Sequence, residues 1–410
     1  MNKVLSFFKN EEWVIVAAGT LILTLVALVP DFMPRVPKDF LQTDSIIKLT
    51  YMFGFLLGLV YLTSALLGKP VKGILFSFLM IFVIAASAQA LAEFAPIKKL
   101  GLESVLFSVA LGLIISNFFR VPEWLKPAVQ SEFYIKIGLI CLGSTILFSE
   151  IMKAGAFGLV QALAVVVSVW YFAYWLSRKM NVDREMSTML ASAVSICGVS
   201  AAIATCGAIK GDNKKLSYVI SLVLVVAIPM MYLMPLIAKW MGLTPEVAGA
   251  WMGGTIDTTG AVVASGKVLG ETAEKYSVII KSSQNVLLGL AAFIISIYWS
   301  YQGKNEKRKP SARLLWDRFP KFVLGFIVAS LVFSLFFSPE EAKSLGKISK
   351  GFSNTLFSVA FVCIGLETNF KELFTQENRK PLKAFLIAQG FNIIVTLIVA
   401  FLLFGILMNY

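Results

Sequence analysis

The residue best suited to do chemistry in this chain is Asp257, set in the run Gly253-Gly-Thr-Ile-Asp-Thr-Thr-Gly260. Apolar sequence flanks the run on both sides. A carboxylate at membrane depth is costly, so by default it marks an ion pathway, a proton site or a buried ion pair. A second run, Ser195-Ile-Cys-Gly-Val-Ser200, gathers hydroxyls, a thiol and a glycine in a stretch that nearly lacks large side chains. Backbone polar groups left unsatisfied in hydrocarbon cost several kcal/mol each, so glycine-rich interruptions persist only inside protein or beside water. Each interruption exposes two half-helix ends, and the amino-terminal one offers free N–H groups and partial positive charge to an anion. The candidate binding set is therefore Ser195, Cys197, Gly198, Ser200, Gly253, Gly254, Thr255, Asp257, Thr258 and Thr259. Close packing of small residues is the competing account for the first run. For Asp257 it is a structural ion pair, or an N-cap on a half-helix starting at Thr258.

The elements that must hold these residues are membrane helices. Apolar stretches of roughly 18–25 residues follow one another along the chain, the length needed to cross a hydrocarbon core of about 30 Å. About thirteen are discernible, near 13–30, 46–67, 73–94, 103–119, 133–149, 155–177, 187–210, 216–241, 247–267, 276–299, 319–338, 351–369 and 382–408. The segments 187–210 and 247–267 carry the two polar runs and are expected to be broken helices facing each other near the midplane. The chain reads as an all-α polytopic membrane protein, 58% hydrophobic and only 15% charged. Residues 1–12 hold too few apolar residues for a cleavable signal, so the first span is expected to stay.

Further along, Lys281, Gln284 and Asn285 sit in one apolar segment and could line a polar path. Lys281, about one turn inside the span, could instead snorkel outward. Glu367, in Gly365-Leu-Glu-Thr-Asn369, stands near a span end and is balanced between interface residue and site. No histidine is present, so any proton coupling must use carboxylates or lysine. The four cysteines all fall in spans, with no metal-ligand spacing, and read as small core residues. Neither a metal nor a cofactor is expected.

The net charge of +13 could suggest nucleic acid, but its distribution is topological. More of the 37 basic residues fall on the amino-terminal side of the spans than on the other, with the densest run in loop 301–318. That asymmetry predicts a cytoplasmic amino terminus.

The second half echoes the first. Placing Cys141 on Cys363 also matches Gly143 with Gly365, Phe148 with Phe370 and Glu150 with Glu372. The preceding segments share Leu111-Gly112 and Leu324-Gly325, and the following ones carry Gln161 and Gln389. The matched segments lie seven spans apart, an odd number, which implies inverted orientation. Inverted repeats are a hallmark of secondary transporters, with substrate at the repeat interface. The domain reading is 1–70 as amino-terminal extra spans, 71–241 as a first core half and 242–410 as a second.

Ser195-Ile-Cys-Gly-Val-Ser-Ala-Ala202 resembles the ICGxSA motif of the YeiH-like sulfate exporter family of bacterial membrane proteins. Gly254-Thr-Ile-Asp-Thr-Thr-Gly260 resembles that family's second motif, with Ile256 where the family commonly has a His. Arg318-Phe-Pro-Lys-Phe-Val-Leu-Gly325 resembles its final-third pattern. Gln284 stands near where the family commonly has an Arg, so a fixed positive charge is missing at that point. The resemblance covers roughly residues 75–405. It implies inverted repeats with crossed broken helices, similar in fold to the sodium/proton antiporter and bile-acid transporter groups. It further implies a secondary transporter of the inner membrane, working by alternating access on a small anion, sulfate or a sulfonate, with H+ or Na+ as coupling ion.

The rival readings are a cation/proton antiporter using Asp257 and a membrane-embedded enzyme. The second is disfavoured because a Ser or Cys nucleophile needs a base beside it and histidine is absent. No Walker motif is present. The expected partners are the anion, the coupling ion and the bilayer, with a homodimer left open and nucleic acid excluded.

Overall fold

The computed structural model describes residues 10–37, 43–94, 104–119, 121–302, 316, 319–368 and 379–409. Among these every regular element is helical. The helices are α1 (Glu11–Leu28), α2 (Thr43–Leu66), α3 (Ile74–Glu93), α4 (Ser104–Phe118), α5 (Ser131–Gly143), α6 (Phe148–Lys179), α7 (Arg184–Ser192) and α8 (Val199–Ile209). They continue as α9 (Asn213–Trp240), α10 (Pro245–Thr255), α11 (Thr259–Val268), α12 (Glu271–Gln302), α13 (Lys321–Phe336), α14 (Pro339–Glu367) and α15 (Arg379–Ala400). A helix occupies each of the thirteen apolar stretches. Among the described residues, eight helices are long and apolar enough to cross a bilayer by themselves. Their outer faces leave large apolar side chains uncovered, such as Phe76, Met80 and Val83 on α3, as lipid-facing surfaces do. The protein is a multi-pass membrane protein.

Local sequence sets the helix starts. Asp183 caps α7 through the Met186 amide and Asp212 caps α9 through that of Lys214. Thr244 caps α10, with Pro245 at the first helical position. Ser338, Pro339 and Glu341 form a capping box at the start of α14.

Two compact units result. One comprises residues 1–151 and 321–368, the other residues 152–320 and 369–410. These units cross the 1–70, 71–241 and 242–410 division. In the first unit α14 packs on α4 and α5. A Cβ on Gly112 would stand 2.9 Å from the Gly365 Cα, and one on Gly143 would stand 2.5 Å from the Phe326 carbonyl oxygen. The helices meet backbone to backbone there, and Ser116 donates to the Gly365 carbonyl at 2.8 Å. Helix α1 belongs to this packing. Gly19 lies against Ile140, and Glu12 receives a hydrogen bond from Lys136 at 2.7 Å.

The second unit holds both broken segments. Helix α7 runs into a π turn, Ala193–Cys197, closed by the Gly198 amide on the Ala193 carbonyl at 3.0 Å. The chain then reverses sense locally at Gly198, with φ 54° and ψ −107°, before α8 begins. Only glycine adopts that conformation without strain. Helix α10 stops at Thr255, Ile256 turns to extended backbone, and α11 starts at Thr259. Glycines 249 and 253 bring α10 onto α12, where added Cβ atoms would stand 2.6 Å from the carbonyls of Ala273 and Ser277.

Candidate functional site

The two interruptions touch each other within the second unit. A Cβ on Gly198 would stand 3.0 Å from the Asp257 carbonyl oxygen and 3.2 Å from its Cβ. Four half-helix ends therefore meet at one place. Two are carbonyl ends, the last turns before Cys197 and Thr255. Two are N–H ends, the starts of α8 and α11.

The carbonyl ends are closed by built-in donors. Asn392 Nδ2 donates to Val194 O at 3.0 Å and to Thr255 O at 3.2 Å. Gln284 Nε2 donates to Ser195 O at 2.8 Å and to Gly254 O at 3.2 Å. Each of these amides thus spans both interruptions. Gln389 adds a bond to Thr255 O at 3.0 Å, and Gln161 one to Ala250 O at 2.8 Å. Lys281 Nζ donates to Ile196 O at 2.7 Å and to Gln284 Oε1 at 2.8 Å. An ammonium at the negative end of a helix dipole is favourably placed. Buried carbonyls in this setting need such partners, because orphaned ones cost several kcal/mol.

The N–H ends are built differently. No side chain caps α8, whose first residues, Val199 and Ser200, are half-buried. At α11 the cap is Thr258, whose hydroxyl accepts from the Ala261 amide at 3.4 Å. Thr258 and Thr259 are also half-buried, and Asn285 Nδ2 donates to Thr259 Oγ1 at 3.4 Å. The other candidate residues, Ser195, Cys197, Gly198, Gly253, Gly254, Thr255 and Asp257, are buried. The residues at the N–H ends are half-buried, and those at the carbonyl ends are buried.

Several expectations need correction. Lys281 does not snorkel. It is 1% exposed and turned inward onto the π turn. Asp257 does not cap a half-helix, because Thr258 takes that role and α11 starts one residue later than expected. Neither carboxylate oxygen of Asp257 has a hydrogen-bond partner among the described residues. Lys281 lies one turn before Gln284 on α12 and donates to its Oε1 at 2.8 Å. Ser195 and Thr255 donate back to their own helices, to Ala191 O at 2.7 Å and Trp251 O at 2.6 Å. Their hydroxyl protons are therefore committed. Glu367 lies in the first unit, where it accepts from Ser131 Oγ at 2.7 Å. Loop residues 303–315 and the matched positions Phe370 and Glu372 lie outside the described residues.

Sequence reasoning missed Asn392 as a site residue and used Gln161 and Gln389 only as repeat markers. All three are fully or nearly buried amides in apolar spans, the kind of side chain that joins membrane helices by hydrogen bonds.

A family model described as conserved hypothetical protein 698 matches residues 73–384. A UPF0324 membrane protein of Rhodopirellula baltica is 39% identical over 348 residues, 82% of this chain and 64% of that relative. A UPF0324 membrane protein of Nitratidesulfovibrio vulgaris is 36% identical over 352 residues, 82% of this chain and 61% of the relative. One of Corynebacterium glutamicum is 27% identical over 302 residues, 72% of this chain and 83% of the relative. The chain thus spans less than two-thirds of the length of the first two relatives. No solved structure matches it.

Proposed function

The chain belongs to the conserved hypothetical protein 698 family, and on that premise we propose that it is a secondary transporter of a small anion, working by alternating access in the inner membrane. Thirteen crossings with a cytoplasmic amino terminus complete the reading. The observation that carries it is the asymmetry of the junction. Lys281, Gln284, Gln389 and Asn392 occupy the carbonyl ends, where a cation would otherwise bind. What stays half-buried is the pair of N–H ends, which suits an anion. Sulfate or a sulfonate is the family-based candidate, with H+ or Na+ as the coupling ion.

Contacts in the first unit support an inverted repeat. Gly112 meets Gly365, and Gly143 meets the residue after Gly325. The pairing of Gly112 with Gly325 and of Gly143 with Gly365 makes these one contact with its roles exchanged, as a two-fold axis requires.

A second reading, cation/proton exchange, draws on one observation, the two unpartnered carboxylate oxygens of Asp257. Uptake by the purified protein in proteoliposomes, against a panel of anions under pH and sodium gradients, separates the two. Anion flux that saturates and responds to either gradient is the expected result. Sodium/proton exchange with no flux of any anion would overturn the anion reading.

A further inference from the structure

The anion reading leaves the valence of the substrate open, and the buried charge at the junction bears on it. Among the described residues of the second unit, three ionisable side chains of formal charge are buried: Asp257, Glu274 and Lys281. Glu274 lies in the first turn of α12, seven residues before Lys281, and engages a partner of its own. That leaves one ammonium and one carboxylate at the junction. The ammonium is held by Ile196 O and Gln284 Oε1. The carboxylate is next to Gly198 and has no hydrogen-bond partner. Other ionisable groups on elements packed here include Cys197, Cys206 on α8, Tyr218 and Tyr232 on α9 and Lys267 on α11, while Lys215 on α9 is paired with Asp183 and Glu185. Cys197, Tyr218, Tyr232 and Lys267 engage partners of their own.

With Lys281 charged and Asp257 ionised, the empty junction is neutral. A monovalent anion entering alone brings the junction to −1. An uncompensated buried charge costs several kcal/mol, far more than hydrogen bonds to neutral donors return. A proton on Asp257 restores neutrality and also removes the like charge beside the incoming anion. A divalent anion with the same single proton leaves −1, and among the described residues no further buried cation stands at the junction to cancel it. Helix dipoles add hydrogen bonds and partial charge at the N–H ends but no net charge.

We propose that the substrate is a monovalent anion moved together with one proton, the proton carried on Asp257 and Lys281 serving as the fixed counter-ion. The inference rests on the anion reading above. Loaded and empty carriers are both neutral, so transport is electroneutral. One proton and one anion leave one face and appear at the other, with no bond made or broken except the O–H of the Asp257 carboxyl.

The test uses the full chain in proteoliposomes with the membrane potential clamped by potassium and valinomycin. The probes are formate, nitrate, thiocyanate and methanesulfonate against sulfate, oxalate and succinate. Monovalent anions should enter under an inward proton gradient, at a rate unchanged by the clamp. Divalent anions should enter roughly a hundredfold more slowly, as an uncompensated charge worth a few kcal/mol requires. Asp257→Asn should keep anion exchange, lose the response to the proton gradient and become voltage-sensitive. Lys281→Arg should keep the preference for monovalent anions, while Lys281→Met should lose uptake. If Lys281→Met fails to fold, Asp257→Asn alone carries the charge test. Sulfate uptake as fast as the monovalent anions, or a monovalent flux that follows voltage in the native protein, would overturn the inference while leaving anion transport standing. Absence of flux for every anion would instead sink the reading on which it rests.

Discussion

The Lys281 ammonium stands 2.7 Å from the carbonyl oxygen of Ile196, at the end of a π turn and with almost no exposure. A lysine buried this way is held by what surrounds it. Ile196 O lies on the last turn before Gly198, so it has no amide of its own helix to bind it.

Replacing Lys281 should therefore expose both sides of the arrangement. Lys281→Met leaves Ile196 O without its donor and Asp257 without a nearby cation. Removing one member of a buried charge set typically costs about 3–5 kcal/mol. Lys281→Arg keeps the charge and the donor, and should lose clearly less. Thermal unfolding in detergent, followed by tryptophan fluorescence, measures both. Equal loss from the two variants would mean that side-chain shape, and not charge, holds the turn.

The amide clasps predict a second pattern. Asn392→Leu removes the donor to Val194 O and Thr255 O, and Gln284→Leu removes that to Ser195 O and Gly254 O. Gln284→Leu leaves both of its carbonyls without that donor, and Asn392→Leu leaves Val194 O without one while Thr255 O keeps Gln389, at about 1–3 kcal/mol for each carbonyl left unpaired. Ser168→Ala, which removes an exposed bond from a side chain to its own helix, should change stability by less than about 0.5 kcal/mol. A clasp variant as stable as Ser168→Ala would show that the carbonyls find other partners.

Much of the site could be read in the sequence, and the part that could not has a physical reason. The interruptions at Gly198 and Ile256–Thr258 follow from glycine and hydroxyl density, which is local information. The inward turn of Lys281 does not. It depends on Ile196 O, 85 positions away in the chain, being left open by a π turn. Asn392 was invisible for the same reason, since its two acceptors lie 198 and 137 positions away. Asp257 stands out in the sequence by cost alone, and that it does not cap α11 depends on Thr258 taking the N-cap position before Thr259. The longest helices are legible because their apolar stretches are long, whereas α4, α8 and α13 are shorter than a span needs by itself. The division into two units, with α13 and α14 joining α1 to α5, required packing that no local pattern encodes.

The crossing of α4 and α14 gives a contrast between glycines. On Gly365 a Cβ would stand 2.5 Å from the Val109 carbonyl oxygen and 2.7 Å from the Gly112 Cα, so Gly365→Ala must push backbone apart. Overpacking of this kind typically costs about 1–3 kcal/mol. Gly54 on α2 has nothing within 4 Å, and Gly54→Ala should be neutral or stabilising by up to about 1 kcal/mol. Folded yield and unfolding temperature of the two variants provide the comparison. A neutral Gly365→Ala would contradict the close crossing.

Topology is testable without transport. The dense basic run of 301–318 predicts a cytoplasmic loop. All four native cysteines are buried, so a single Ser311→Cys gives a clean labelling site. A membrane-impermeant maleimide should label it only after the cells are opened. Labelling in intact cells would reverse the orientation.

Gly198→Ala tests the junction at its tightest point. Two penalties act on the added methyl. One is conformational, because φ of 54° with ψ of −107° is a region that L residues rarely adopt, at about 1–3 kcal/mol. The other is steric, since the methyl would stand 2.6 Å from Val223 Cγ1 and 3.0 Å from the Asp257 carbonyl oxygen. Trimming the neighbour with Val223→Ala relieves the first contact but neither the backbone contact nor the conformational cost. The double variant should therefore recover only part of the stability lost by Gly198→Ala, and transport should stay impaired. A thermodynamic cycle across the four proteins measures the coupling, and residues in contact commonly show about 0.5–3 kcal/mol. Full rescue by Val223→Ala would mean that crowding by that side chain is the whole effect, and that the reversal at Gly198 is neither strained nor required.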